Sequence, residues 1–334
     1  MTHETSSHRS PISRRTMLAT TVAMAASPAL AEECRVGPAP HHKGPLVFMD
    51  YDQVELDASY DQVQYEPLIA QVSKRLASNS EAVRARIGAP QRVAYGPTEI
   101  EKLDIYRTSR PNAPIFVAIH GGNWQVGAAK DYGFAAEMFV NAGANYVALD
   151  FANIKEAGGD LGVMAAQVRR GIAWVCKNAA AFGGDPDRVF IGGHSSGGHL
   201  CGVALVADWQ KEFGLPDNAI KGGLCMSGMY DMAPVRLSWR RTYVSFTDPM
   251  ADTMSAQRHL DMLRAPITVT YGGFETPDFQ RQSRDFAAAI KAAGKPVQLI
   301  EAPNYAHLEM AESLGNPYGP NGRAALAMMK LAQG

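Results

Sequence analysis

Val189-Phe190-Ile191-Gly192-Gly193-His194-Ser195-Ser196-Gly197-Gly198-His199-Leu200-Cys201 is the stretch from which the rest of the chain can be read. Val189 to Gly192 has the composition of a buried strand, and Gly197 to Ala207 that of an apolar helix. Gly-x-Ser-x-Gly alone occurs often by chance. Between a strand and a helix it marks a sharp turn that exposes the serine oxygen. Such a turn forces strained backbone angles and close packing, so the neighbouring side chains must be tiny, which accounts for Gly193 and Gly197. Ser195 is therefore the candidate nucleophile. His194 and His199 flank it but do not stand where a base is expected, and are read as structural.

Working outward, short apolar runs alternate with amphipathic stretches on both sides of this turn. The expected strands are Arg92 to Tyr95, Leu103 to Tyr106, Ile115 to Ile119, Tyr146 to Asp150, Val189 to Gly192, Gly223 to Ser227, Ile267 to Tyr271 and Val297 to Ile300. The expected helices are Tyr132 to Ala142, Leu161 to Ala181, Gly197 to Ala207, Phe279 to Ala293 and Arg323 to Leu331. Val- and Ile-rich strands that alternate with helices predict an α/β fold, a mostly parallel eight-stranded sheet with helices on both faces. Sites in such sheets lie beyond the carboxyl ends of the strands. Upstream, the spacing of Leu56, Tyr60, Val63, Leu68, Ile69, Val72 and Leu76 predicts helical segments broken at Pro67, a small N-terminal helical cap over about 48–90.

Three loops at strand ends then carry the chemistry. His120-Gly121-Gly122-Asn123-Trp124 follows Ile115 to Ile119, and its glycines let backbone N–H groups approach an oxygen that turns negative. With the turn residue Ser196, the expected oxyanion donors are Gly122, Asn123 and Ser196. His120 is expected to brace this loop. A base is expected late in the chain, since the order nucleophile, acid, histidine goes with this kind of turn. His307 in Ala302-Pro303-Asn304-Tyr305-Ala306-His307 fits, whereas His259 sits in a polar, helical-looking stretch. For the acid, Gly272-Gly273-Phe274-Glu275-Thr276-Pro277-Asp278 offers two carboxylates. Thr276 and Pro277 have the character of a helix N-cap and first turn, which makes Asp278 a partner for the helix dipole and leaves Glu275 facing the loop. Glu275 is preferred, Asp278 stays open, and Asp231 is read as a loop brace. Trp124, Met229 and Phe274 are the expected walls of the substrate pocket.

Composition narrows the class. A chain of 334 residues with 46% hydrophobic and 19% charged residues has the makeup of an ordinary globular protein, and a formal charge of -1 without a basic block argues against nucleic acid as partner. Cys34, Cys176, Cys201 and Cys225 are scattered, without the pairing of a zinc or dithiol site, and the last three lie in apolar surroundings expected to bury free thiols. No His-Glu-x-x-His spacing occurs, so no metal is expected. His41-His42 is read as a solvated tail.

The N-terminus reads as an export signal over 1–31: Ser13-Arg14-Arg15-Thr16-Met17-Leu18, an apolar run from Leu18 to Ala26, and Ala29-Leu30-Ala31 as the cleavage site. The arginine pair points to the twin-arginine route, a general secretory signal being the alternative, and a periplasmic or secreted protein is the expectation under either. A linker over 32–47, rich in proline, and one domain over 48–334 complete the predicted organisation.

The chain resembles the kynurenine formamidase (arylformamidase)-like branch of α/β-hydrolases, close to the hormone-sensitive-lipase-like carboxylesterases. The resemblance runs from about residue 50 to the end, through Leu56-Asp57-Ala58-Ser59-Tyr60, His120-Gly121-Gly122-Asn123-Trp124, Gly183-Gly184-Asp185-Pro186, Gly193-His194-Ser195-Ser196-Gly197-Gly198, Thr276-Pro277-Asp278-Phe279 and His307-Leu308-Glu309. It implies the α/β-hydrolase fold, no cofactor, and hydrolysis of esters or N-formyl arylamines through an acyl-enzyme. Two positions depart from it: Asn123 stands where lipase-like relatives carry a third glycine, and Ala306 where an asparagine commonly precedes the base. The expectation is a serine carboxylesterase acting on a small-molecule ester, the alternative an arylformamidase acting on N-formyl arylamines such as N-formylkynurenine. No membrane anchor after processing is expected, and a homodimer is open.

Overall fold

Strands covered on both faces must be apolar on both sides, and the middle strands of this chain meet that demand over their full length. The computed structural model describes residues 1–2 and 36–332. Its eight strands are β1 (Gln91–Ala94), β2 (Lys102–Tyr106), β3 (Ala113–Ile119), β4 (Asn145–Leu149), β5 (Gly184–His194), β6 (Ile220–Met226), β7 (Ile267–Gly272) and β8 (Val297–Ala302). They form one sheet in the order β1-β2-β4-β3-β5-β6-β7-β8. β2 pairs antiparallel with β1 and β4, and every other pairing is parallel. β3, β4 and β7 are buried throughout, whereas the edge strands β1 and β8 are largely open to solvent. This is the α/β-hydrolase arrangement expected from the alternation of runs.

Alternate residues of one strand feed two cores, as the two-residue period of a strand requires. Ile115, Val117 and Ile119 pack with the helices Leu161–Asn178, Ser196–Leu205 and Pro277–Ala292 and with Leu56 and Tyr60. Phe116 and Ala118 point the other way, toward Leu76 and Val83 of helix Ile69–Ile87, Phe139 of helix Ala136–Ala142, and Leu326 of helix Pro320–Met328. In that second core Phe116 stacks on Phe139 at 4.5 Å and Phe139 on Tyr146 at 5.2 Å. Each such pair contributes about 0.5–1.5 kcal/mol beyond its burial.

The strands fall within a residue or two of the expected runs, except that β5 begins at Gly184 and β6 begins at Ile220, three residues before Gly223. Gly184 pairs with Ala113 across an irregularity in register, which draws β5 back to that point. Helix Ile69–Ile87 continues well past Leu76. Its inward stripe runs Val72, Leu76, Ser80, Val83, and the serine interrupts the apolar signal. Buried Ser80 donates to the carbonyl of Leu76 at 2.9 Å and accepts the Phe134 N–H at 3.0 Å, so a polar side chain holds a core position. Between β6 and β7 lies an insertion of short turns of helix, among them Met232–Val235, Trp239–Thr242 and Asp248–Thr253, which the sequence reading did not anticipate.

Residues 36–47 hold neither helix nor strand and are tied down by the Gly37 N–H on Gln64 O at 2.8 Å and by the Gly44 N–H on Asp52 at 2.8 Å. His41 reaches the same carboxylate at 2.8 Å. Cys176, Cys201 and Cys225 are buried free thiols. The export segment, from its third residue on, and Cys34 lie outside the described residues. Among the described residues no helix is long and apolar enough to cross a membrane.

Candidate active site

β5 runs straight into Ser195, whose backbone stands at φ 58°, ψ −124°, a conformation that costs about 1–3 kcal/mol and persists only where the surroundings enforce it. Three features enforce it here. The Ser195 N–H donates to Met226 O at the end of β6 at 2.9 Å, the Ser195 carbonyl accepts the His199 N–H at 3.0 Å, and the following helix presses against β3. That approach is so close that a Cβ on Gly197 would lie 2.2 Å from the Ile119 carbonyl.

His307 opens the short helix His307–Glu312 after β8, and its Nε2 lies 2.8 Å from Ser195 Oγ. Two carboxylates hold the backbone around His307: Glu309 accepts the Ala306 N–H at 2.9 Å and Glu66 accepts the Leu308 N–H at 3.0 Å. On the far side of the ring, Nδ1 is 3.5 Å from Glu275 Oε1. This is longer than a well-formed hydrogen bond, as carboxylate-imidazole pairs often are before substrate closes the site. Buried Ser227, at the end of β6, donates its hydroxyl to the same Glu275 oxygen.

Asp278 is committed elsewhere. It accepts the Tyr60 hydroxyl and, at 2.6 Å, the Arg281 Nε–H, and is fully buried. Asp231 caps the helix Met232–Val235 and pairs with Arg258 at 2.7 Å. Of the carboxylates weighed from sequence, the structure brings Glu275 to the imidazole.

Burial sets the protonation of the pair. Removal from water pushes the Glu275 carboxyl up to about 7, against the hydrogen bond from Ser227. Burial, with a contribution from the Arg240 guanidinium, brings His307 down to about 3. The imidazole at rest is thus neutral, the form that can accept a proton from Ser195.

The loop after β3 carries the unusual backbone that close approach demands. Gly122 stands at φ 113°, where an added Cβ would lie 2.1 Å from Val126 O, and Asn123 and Trp124 follow at φ 57° and 62°. Among the described residues the N–H groups of Gly122, Asn123 and Ser196 donate to nothing, while that of Trp124 donates to Ser196 Oγ at 3.2 Å and ties this loop to the serine turn. The Asn123 amide oxygen accepts from Arg240 at 2.9 Å. His120 donates to Gly121 O at 2.9 Å and stacks on Phe151 at 4.1 Å.

His194 donates to the His307 carbonyl at 2.8 Å, and His199 spans Met254 O and the Trp124 indole N–H. Both rings are neutral, because burial brings them down to about 3 and about 4.

The expected pocket residues are placed differently from one another. Trp124 lines a pocket of about 110 Å³ with His120, Gly121, Phe151 and Ser196. Phe274 is 57% exposed at the rim of a recess of about 630 Å³ that also touches Glu66, Glu275 and Ala306. Met229 is wholly buried in the core.

Ser227, Glu66, Glu309, Tyr60 and Arg240 are residues around the site to which the sequence reading gave no role. Tyr60 and Glu309 stood in motifs singled out there. The others lie in segments of ordinary composition and offered no signal of their own.

Comparison with known proteins agrees with this architecture. The BD-FAE family matches residues 103–222. Esterase LipQ of Mycobacterium tuberculosis is 27% identical over 243 residues, 64% of this chain and 56% of LipQ. Among solved structures, a candidate thioesterase from Silicibacter sp. superposes with a TM-score of 0.72 at 21% identity, covering 83% of this chain and 99% of the other. The esterase Est2 of Thermogutta terrifontis superposes at 0.56 and 19% identity over 73% of this chain and 91% of its own. Kynurenine formamidase of Salmo salar is 29% identical over 278 residues, 80% of this chain and 92% of the relative. With kynurenine formamidase of Danio rerio 30% identical over 274 residues, 78% of this chain and 90% of the relative, the chain belongs to the kynurenine formamidase family of α/β-hydrolases.

Proposed function

We propose that this protein is a serine hydrolase that cleaves a small carboxylic ester through an acyl-enzyme. The observation that carries this is the 2.8 Å contact of the Ser195 hydroxyl with a neutral, buried His307. Ser195 Oγ attacks the ester carbonyl as His307 Nε2 takes its proton. The oxygen that becomes negative receives the free N–H groups of Gly122, Asn123 and Ser196, each worth roughly two to three orders of magnitude in turnover in comparable enzymes. His307 returns the proton to the departing alcohol, then deprotonates the water that releases the acid. Glu275 orients the ring and stabilises its protonated form.

The test is turnover of short-chain p-nitrophenyl esters by the purified protein. Hydrolysis that vanishes in Ser195→Ala, with fluorophosphonate labelling of the parent alone, supports the proposal; absence of turnover by the parent refutes it.

A second substrate class, N-formyl arylamines, is favoured by the 30% identity to a kynurenine formamidase and by Asn123 at the third position of the glycine loop. Rates on a formanilide and on a phenyl ester of matched size separate the two. The paired arginines at 14 and 15 support export, which detection in the periplasmic fraction of a Gram-negative host tests.

A further inference from the structure

Arg240 is 0% exposed, and among the described residues no carboxylate pairs with it. It sits in the turn Trp239–Thr242 of the insertion between β6 and β7. One guanidinium nitrogen, Nη2, donates to the Tyr60 carbonyl at 3.1 Å and to the Asn123 amide oxygen at 2.9 Å, while Nη1 donates to the Tyr243 hydroxyl at 3.0 Å and Nε has no partner. The rings of Trp124, Trp239 and Tyr60 lie against it at 5.2, 5.7 and 5.8 Å. Aromatic faces and neutral oxygens lessen the cost of a buried cation but do not cancel its charge.

The cation thus lies against the loop that carries the free Asn123 N–H. We propose that Arg240 is a positioning residue for acyl transfer: it anchors the Asn123 side chain, so holding the left-handed backbone that aims the Asn123 N–H, and keeps a positive charge on the loop where the substrate oxygen turns negative. The inference rests on the esterase reading. The anchored residue stands where lipase-like relatives carry a third glycine. A glycine adopts φ 57° freely but cannot be held from the side, whereas an asparagine there can be. The same charge is felt at the base, where it adds to burial in favouring neutral His307. His307 is otherwise faced by Glu275, the His194 ring at 4.5 Å, Ser195 and the Phe279 ring at 5.1 Å.

The experiment measures kcat, KM and the pH profile of ester hydrolysis for the full chain and for Arg240→Met, Arg240→Lys and Asn123→Gly, with urea unfolding of each. Arg240→Met is expected to lower kcat roughly 10²-fold, KM changing by no more than about threefold, and to move the acid limb of kcat/KM to higher pH. Asn123→Gly keeps the charge and loses the anchor, so kcat is expected to fall about tenfold with the acid limb unmoved. Arg240→Lys is expected to keep the limb in place and lose part of kcat. A purely structural arginine would lower stability without moving the limb.

The proposal is overturned if Asn123→Gly turns over within about twofold of the parent, or if a folded Arg240→Met leaves the acid limb where it was. Should Arg240→Met fail to fold, Asn123→Gly and Arg240→Lys decide alone. A parent that neither turns over esters nor takes up a fluorophosphonate overturns the esterase reading and this one together; an active parent with an unaffected Asn123→Gly overturns this one only.

Discussion

Ser195 and His307, 112 residues apart in the chain, meet at 2.8 Å between side chains that are both almost wholly buried. The contact is held from three directions: by the strained turn after β5, by the carboxylates of Glu66 and Glu309 on the backbone around His307, and by His194 on the His307 carbonyl. In the proposed mechanism, bracing of this kind sets the pair in place before substrate arrives, which is the condition for electrostatic and proximity effects to act on the barrier.

The two carboxylates that follow β7, Glu275 in the loop and Asp278 in the first turn of the helix, are expected to fail in opposite ways. Glu275→Gln should lower kcat by about 10³- to 10⁴-fold with little loss of stability, because it disturbs the tautomer and charge of the imidazole. Asp278→Asn should keep most of the activity but lose about 1–3 kcal/mol, since it weakens buried bonds to Tyr60 and Arg281. Kinetics and urea melts of both variants check this, and a kcat loss confined to Asp278→Asn would sink the assignment.

Gly197 leaves no room for a methyl group against strand β3, whose Ile119 carbonyl is backbone and cannot move aside. Gly197→Ala is therefore expected to cost about 3 kcal/mol or to prevent soluble folding. Chemical denaturation gives the answer; a variant within about 1 kcal/mol of the parent would contradict the close approach.

Stability should respond to acid in two stages. His194, His199 and His307 have folded values near 3, 4 and 3 against an ordinary 6.5, so the unfolded chain binds more protons and stability falls as pH drops below 6.5. Glu66 and Glu275, pushed up to about 7 from 4.5, act with the opposite sign between those values, since their folded forms hold the extra proton. His120, also lowered by burial, adds to the three histidines, so the two carboxyls offset only part of the loss from pH 6.5 to 4.5. Below 4.5 the carboxylates held under their ordinary range, Asp52, Glu101 and Glu137 among them, add to the histidine effect. The midpoint of thermal unfolding is expected to fall gently from about pH 6.5 to 4.5 and steeply below. A decline as steep from pH 6.5 as below 4.5 would show that the carboxyls do not hold their protons.

The thiols of Cys176, Cys201 and Cys225 are buried, and burial pushes that of Cys176 up to about 12. A thiol-specific chromogenic reagent should leave all three unmodified in the native protein and titrate them in urea. Rapid native labelling at any of the three, located by mass spectrometry, would contradict the packing.

The sheet was legible because its signal is local. β3, β4 and β7 are apolar runs of strand length, and each is followed by a helix with its own period. What escaped was local pattern overridden from outside. β5 starts inside Gly-Asp-Pro-Asp because Ala113 supplies a pairing partner, and helix Ile69–Ile87 outlasts its apolar stripe because Ser80 finds partners on a neighbouring turn.

By itself the sequence determined the alternation of elements, the glycine-framed serine turn and the glycine loop, since these follow from side-chain period and from the φ angles and contacts that only small residues tolerate. Only the tertiary structure decided which carboxylate reaches His307 and that a buried arginine holds Asn123 across 117 residues. Glu275 and Asp278 are three positions apart, and although Arg281 lies one turn from Asp278 on the same helix, nothing in their own neighbourhood states that Tyr60, 218 residues away, occupies the second and leaves the first to the imidazole. Such contacts depend on where distant segments dock, which is settled by the packing of the whole core rather than by any short stretch of chain.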